Sequence, residues 1–548
     1  HNGDDVFIAW KPAGFIPECR GFALLRKRNG LEETVSTWVG FEGEAHDDGE
    51  RRASTNWPIQ KYQWTDYMAS PGDLLRYRVI PMIGPDKANL RPDPRSASGW
   101  TEEVTLIHQV ARPIEVYFNR GIVAAQWVSR RLGISDSNSQ VKKLRKVIAT
   151  PDDPFRNYLT GPLGARLFRL LASCAKEKLE IYAALYELDD EQLEAALEKF
   201  GKRAHVVLAN GSVKKKGEDQ NHQARDRLAG KIDLRDRMIS PRALGHNKFL
   251  VVCDTQHKPR WVWTGSQNWT QTGLCTQANN SLLIDDPDLA VEYRKQWTLL
   301  EEAGNGTPDG LKQSNTHPRD PKVGHLGVRL WFTPTVGRVD LEEARKIVMG
   351  AKDAILFLMF NPGPKDTLLS QIIKTARAGV AGKRLYIRGA INQDPSTAAN
   401  PVELFHQGNS DKADFEVVLP AAIDKTTGYW RKELKKLPGT FAMVHSKVVL
   451  VDPFGAEPVV LTGSHNLGPK ASGINDENLL IIRDAPGLAA AYATNIMAIY
   501  NQYRWRFRTQ LQPIGKRWKG LKDSDSWQTG YLKPGSDALR EIDFWVGA

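Results

Sequence analysis

The chain has 548 residues, 41% hydrophobic and 25% charged, an ordinary globular balance spread over too much chain for one core. About two to four domains are expected. No apolar run reaches the roughly 18 residues that a spanning helix needs, which argues against a transmembrane segment. The net charge of +11 favours anionic partners: nucleic acid, an anionic membrane surface or a phosphorylated small molecule.

Residues 1–111 hold short alternating pieces such as "VFIAWKP", "ETVSTWVGF" and "LLRYRVIPMIG", broken by Gly, Pro and Asp. This pattern predicts an antiparallel β-sandwich. The Tyr77-Arg78-Val79 piece resembles the late strand of a fibronectin type III-like module. From residue 112 the chain repeats itself. "LEIYAALYELDDEQLEAAL" (179–197) matches "AILFLMFNPGPKDTLLSQI" (354–372), and "AHVVLANG" (204–211) matches "RLYIRGAI" (384–391). "GHNKFLVVCD" (245–254) matches "VHSKVVLVD" (444–452), and "VWTGSQNWT" (262–270) matches "VLTGSHNLG" (460–468). Apolar strand-like runs alternate with helical periodicity, as in "EQLEAALEKF". The expected fold is α/β: one half over 112–302, a Gly/Asn/Pro/Lys-rich linker over 303–326, and a second half over 327–508. A tail over 509–548, with Trp518, Trp527 and Trp545, is expected to pack on the second half. Cys19, Cys174, Cys253 and Cys275 lack metal-ligand spacing and read as buried free thiols. No metal or other cofactor is expected. The chain begins at His1 without Met, so its compartment stays open.

Two basic clusters offer phosphate contacts, Lys214-Lys215-Lys216 and Tyr503-Arg504-Trp505-Arg506-Phe507-Arg508. The second also offers base stacking. A solvated loop and a helix end are the plainer readings.

Chemistry concentrates where the repeat is tightest. Residues i and i+2 of a strand share a face, so His246 points with Lys248 and His445 with Lys447. Gly265-Ser266 and Asn268 follow the first pair; Gly463-Ser464 and Asn466 follow the second. His-to-Ser separations are 20 and 19 residues. This constellation resembles the phospholipase D superfamily, marked by His-x-Lys-x4-Asp and Gly-Ser-x-x-Asn once per half. The resemblance covers roughly 112–505. It implies two pseudo-repeated halves facing one phosphate site, and metal-independent phosphodiester cleavage through a phosphohistidine.

The residues fit that chemistry. Lys248 and Lys447 neutralise charge building on the non-bridging oxygens, and the amides of Asn268 and Asn466 add directional donors. One imidazole attacks phosphorus while the other protonates the leaving oxygen and then activates the acceptor. The resemblance implies a carboxylate against the motif histidine, which sets Glu477 on His445, and the repeat alignment puts Asn280 in the matching first-half position. A carboxylate favours imidazolium, so His445 reads as the general acid and His246 as the nucleophile. Ser266, Ser464 and Asn280 read as substrate-binding residues. Trp263, Gln267, Trp269 and His465 flank the motifs, and Asn119-Arg120 and Thr333-Pro334 sit at matching strand ends near the cleft. Asp452 and Asp254 read as structural. Five residues separate Lys248 from Asp254, with Cys253 at the usual Asp position, and a one-residue bulge in that strand would restore the spacing.

Substrate class is left open. A phospholipid phosphodiester, cleaved or transferred with peripheral contact to an anionic membrane, comes first. A nuclease is the rival, and an inactive scaffold the third reading. A monomer is expected.

Overall fold

The computed structural model describes residues 1–47, 49–122, 125–133, 137–380, 384–407, 413–422, 433, 442–512 and 518–547. Two mixed sheets carry the chain beyond residue 112. The first runs Ile114–Phe118, Asn280–Asp285, Pro259–Gly265, Lys248–Cys253, Glu180–Leu185, Ala204–Ala209 and Asp233–Arg237. The second runs Gly327–Phe332, Asn478–Arg483, Val459–Gly463, Val448–Val451, Ala354–Met359, Tyr386–Ile391, Asp414–Val418 and Phe405–Gln407. The first seven positions correspond in order and direction. In each sheet the strand after the His-x-Lys pair lies antiparallel to the inner strand Glu180–Leu185 or Ala354–Met359, which is parallel to the next strand outward. Inner strands such as "KFLVVC" and "AILFLM" are buried at every residue, as expected where both faces are covered.

The helices Pro287–Ala303 and Pro486–Leu511 each follow the last strand of a sheet. Both lie in one apolar core that joins the sheets, where Tyr293, Trp297, Tyr492 and Tyr500 meet Val251, Leu282, Leu450 and Leu480. Asp286 caps the first of these helices by accepting from the Leu289 amide, and Gly304 ends it at φ 51°. The hydroxyls of Tyr293 and Tyr492 reach across, to Asn478 Oδ1 and from Asn280 Nδ2.

Polar contacts also cross the junction. Arg237 and Asp476 are each 1% exposed and pair through two bonds of 2.9 and 3.1 Å. Arg237 also donates to the Gly304 and Gly306 carbonyls. Removing one partner of such a pair strands the other charge in low dielectric, so Arg237→Ala should cost about 3–5 kcal/mol, read as a lower urea midpoint. The double variant Arg237→Leu, Asp476→Leu should recover most of that loss, and an unchanged midpoint in the single variant would refute the account.

The N-terminal region forms an antiparallel sheet around Cys19–Arg28 and Leu74–Ile83, with smaller pairs Val6–Ala9 with Gln63–Asp66 and Ser36–Thr37 with Arg52–Ala53. The tail is not confined to the second sheet. Trp527 and Ile542 enter the N-terminal core, the Trp527 indole donates to the Cys19 carbonyl, and Gln528 bonds the Ile16 backbone. Its last helix also touches the second sheet, where Phe544 stacks on Tyr386. Apolar tail side chains complete the small N-terminal core. Tail residues 513–517 and 548 lie outside the described residues. A cavity of about 1010 Å³ separates the N-terminal sheets from the outer half of the 486–511 helix, lined by Tyr67, Trp127, Tyr158, Trp505 and Trp545; no motif histidine or lysine borders it. All four cysteines are free and buried.

Candidate active site

Each His-x-Lys pair stands at the start of its strand and is held by backbone from the other sheet's unit. The His246 amide donates to the Asp476 carbonyl at 2.9 Å, and the His445 amide donates to the Ala278 carbonyl at 3.0 Å. Met443–Val444 runs parallel to Gln277–Ala278, and Gly245 bridges Asp476 in the same sense. The two motifs are thereby brought to the junction of the sheets, with both imidazoles 3% exposed.

The side-chain pairing follows the same crossing. His246 Nδ1 lies 2.6 Å from Glu477 Oε2, and His445 Nδ1 lies 2.8 Å from Asn279 Oδ1. This corrects the repeat alignment twice. Glu477 orients His246, not His445, because the strand bearing Glu477 packs against the other unit's histidine. The first-unit counterpart of Glu477 is Asn279, not Asn280. Asn280 turns away from the histidines and donates to Thr462 and Tyr492.

Ser266 and Ser464 hold these partners. Ser266 Oγ donates to Asn279 Oδ1 at 2.8 Å and Ser464 Oγ to Glu477 Oε2 at 2.9 Å, while each accepts a backbone amide, from Asn280 or Asn478. Their hydroxyls are committed to the histidine partners, which corrects their reading as substrate-binding groups. Asn279 Nδ2 donates to the Gly273 carbonyl, which fixes its oxygen toward His445. Asn119 Oδ1 accepts the Asn279 amide and Thr333 Oγ1 the Glu477 amide, so these strand ends brace the histidine partners. Arg120 pairs with Asp4. His465 accepts the Leu467 amide and faces Asp340 at 3.0 Å, an internal brace. Trp263 and Trp269 are core residues.

The lysines are buried alongside. Lys248 Nζ donates to the His246 carbonyl and lies 4.5 Å over the Tyr186 ring; Lys447 Nζ donates to the His445 carbonyl and lies 4.7 Å over Phe360. Tyr186 and Phe360 also meet His246 and His445 edge-on. Burial brings Lys248 down to about 7 against the opposing pull of Glu477 and Glu187. Burial, then the Lys248 charge, holds Lys447 well below its ordinary value. Burial takes His246 to about 4 despite Glu477, and burial with Lys447, Lys248 and His246 keeps His445 well below the usual imidazole range. Burial works to raise the Glu477 carboxyl, but His246, His465 and Lys248 hold it low. Burial thus disfavours the charged form of both imidazoles and both lysines, and Glu477 opposes it at His246 and at the two lysines. Asn268 Nδ2 donates to Glu187 Oε2 at 2.6 Å, and Asn466 is half-buried with its Oδ1 free of a protein partner.

The two motif aspartates differ. Asp452, at φ 47°, accepts from the backbone amides of Lys352, Asp353 and Ala354 and anchors the next inner strand. Asp254 instead accepts from Gln256 and Lys258 and closes its own turn. Cys253 stays in the ladder opposite Glu180, so Asp254 falls in the turn beyond it. The ladder irregularity falls on the return strand: Val252 faces Trp261 and Cys253 faces Pro259, so Arg260 is the extra residue. That lengthens the His-to-Ser span without moving His246 or Lys248.

The arginines of 503–508 are spent internally, Arg504 and Arg508 on Glu416 and Arg506 on Glu433, whereas Lys214–Lys216 lie on a surface loop. Among the described residues no group of three or more His, Cys, Asp or Glu side chains is placed to hold a metal ion, and no helix is long and apolar enough to cross a membrane.

The family described as cardiolipin synthase, PLD-like domain, matches residues 167–298 and 345–500, just over half of the chain. The chain belongs to the phospholipase D superfamily, whose members act on phosphodiesters. It is similar to a phospholipase D of Rickettsia bellii, 25% identical over 190 residues, which are 32% of this chain and 89% of that protein. Among solved structures, phosphatidylserine synthase of Haemophilus influenzae aligns with 71% of this chain and 92% of its own at 14% identity and a TM-score of 0.43. Polyphosphate kinase of Porphyromonas gingivalis aligns with 57% of this chain at 14% identity and a TM-score of 0.38, and this chain spans 45% of its length.

Proposed function

We propose that the protein is a metal-independent phosphodiesterase of phospholipase D type, built from two pseudo-repeated halves that share one site and form a phosphohistidine. One observation carries the reading: each motif histidine is bound at Nδ1 by a side chain from the other half. An Nδ1–H given to Glu477 or Asn279 leaves Nε2 as the lone-pair nitrogen, the atom needed for attack or proton transfer.

The crossed pairing changes the argument for the roles. Attack by Nε2 on phosphorus puts positive charge on the ring, and a carboxylate at Nδ1 stabilises that charge better than an amide does. Glu477 therefore favours His246 as nucleophile. His445, on a neutral amide, suits the general acid: it takes up a proton at Nε2 before the diester reacts and gives it up readily. His246 Nε2 forms the bond to phosphorus as the bond to the leaving oxygen breaks, and His445 delivers the proton to that oxygen. His445 then takes a proton from water or an alcohol, whose oxygen displaces His246. Lys248, Lys447, Asn268 and Asn466 hold the non-bridging oxygens throughout.

The substrate we favour is a phospholipid phosphodiester, with head-group transfer as well as hydrolysis open to it and peripheral docking on an anionic membrane. The commitment of Arg504, Arg506 and Arg508 to carboxylates removes the main local support for nucleic acid. The N-terminal sheets fit a sandwich of fibronectin type III kind that braces the first half. Phosphatidyl vesicles should be cleaved, and DNA left intact, at rates unchanged by EDTA. Loss of activity on chelation would sink the histidine mechanism, and cleavage of DNA alone would reverse the substrate assignment.

A further inference from the structure

Glu187 is a carboxylate that the phosphodiester chemistry does not use. It follows the inner strand Glu180–Leu185 and is half-buried, while the histidines and lysines around it are buried. Its Oε2 takes the Asn268 amide at 2.6 Å, the same amide proposed to hold a phosphoryl oxygen. The corresponding residue of the second sheet is Asn361, which is neutral and bonds Asn392. One side of the pocket thus carries a negative charge that the other side lacks.

Resting on the phosphodiesterase reading, we propose that Glu187 is an acid gate on the phosphate pocket: as carboxylate it holds Asn268 and repels the phosphodiester, and a proton taken from solvent lifts both restraints.

The groups facing Glu187 set the direction. Lys248 attracts it from the neighbouring strand and Lys447 from the second unit; Asp189 repels it from its own loop, Gln220 hydrogen-bonds it, and Tyr186 adjoins it. Glu477 stands beyond the lysines and draws on the same two charges. Burial outweighs the lysines and raises the Glu187 carboxyl to about 6. An anion on the lysines raises it further. The linkage sign follows: anion binding is insensitive to this group below about pH 6 and weakens above it, by up to about tenfold per pH unit. Lys248, itself brought down to about 7, loses its charge over the same range, so its titration weakens anion binding in the same direction and persists when Glu187 is neutralised.

Sulfate binding by calorimetry and KM for bis(p-nitrophenyl) phosphate test this on the full chain, because neither anion changes charge between pH 6 and pH 8. For the native chain the sulfate Kd and the KM should rise at least about tenfold over that range. Glu187→Gln should cut the rise at least about threefold below the native one, the remainder belonging to Lys248, and should bind at least about threefold tighter at pH 8. Glu187→Ala, which removes the charge and frees Asn268 at once, should share the reduced rise. A native profile retained by Glu187→Gln, or weaker binding at pH 8, would overturn the gate while leaving the phosphodiesterase reading intact. No turnover and no sulfate binding by the native chain would overturn both.

Discussion

His246→Ala should lower kcat/KM for a phosphodiester by at least about 10⁴-fold and leave no covalent phosphoenzyme, because the proposed nucleophile is gone. His445→Ala should be slow for a different reason. With a good leaving group such as p-nitrophenolate, expulsion needs no proton, so the first step persists while water activation fails. An acid-labile, base-stable phosphoryl adduct should then accumulate on the peptide that contains His246, detected by mass spectrometry. An adduct trapped only in His246→Ala would reverse the two roles, and full activity in both variants would remove the site.

Glu477→Gln should lower kcat by about 10²–10⁴-fold while leaving KM within a few-fold. The carboxylate accepts from His246 Nδ1 and from Ser464 Oγ, and so fixes both the tautomer and the orientation of the ring. An amide in its place either offers one acceptor with no charge or turns its NH₂ toward the imidazole and selects the wrong tautomer. The reciprocal change, Asn279→Asp, places a carboxylate on His445 and should move the group that limits kcat to higher pH. If Glu477→Gln acted only through stability, kcat per folded molecule would be unchanged, which active-site titration with vanadate reads directly.

The residues that meet at the junction were legible because the chain writes them twice. His246, Lys248 and Asn268 recur as His445, Lys447 and Asn466, and the runs around them are buried strands in both sheets. The pairing between units was not legible, since no local pattern tells which unit a loop will touch. Strand parity and spacing speak of one sheet at a time; the crossing depends on Gly245 meeting Asp476 and Ala278 meeting Val444. Yet one signal was present. Ser266 precedes Asn279 by 13 residues and Ser464 precedes Glu477 by 13, so equal spacing from the motif serine identifies the histidine partners. Aligning the apolar runs instead slipped the match to Asn280. Glu187 carried no such signal, because its counterpart Asn361 is a different residue type.

The exchange of backbone and side-chain contacts at the junction bears on how the molecule can be taken apart. A fragment ending near the linker would keep His246 and Lys248 but lose Asp476, which holds the His246 amide, and Glu477, which holds its ring. The complementary fragment would carry His445 without Ala278 or Asn279. Neither piece keeps a motif histidine together with its Nδ1 neighbour, so the proposed site belongs to the docked pair, and carrying both sheets on a single polypeptide keeps each imidazole beside its support.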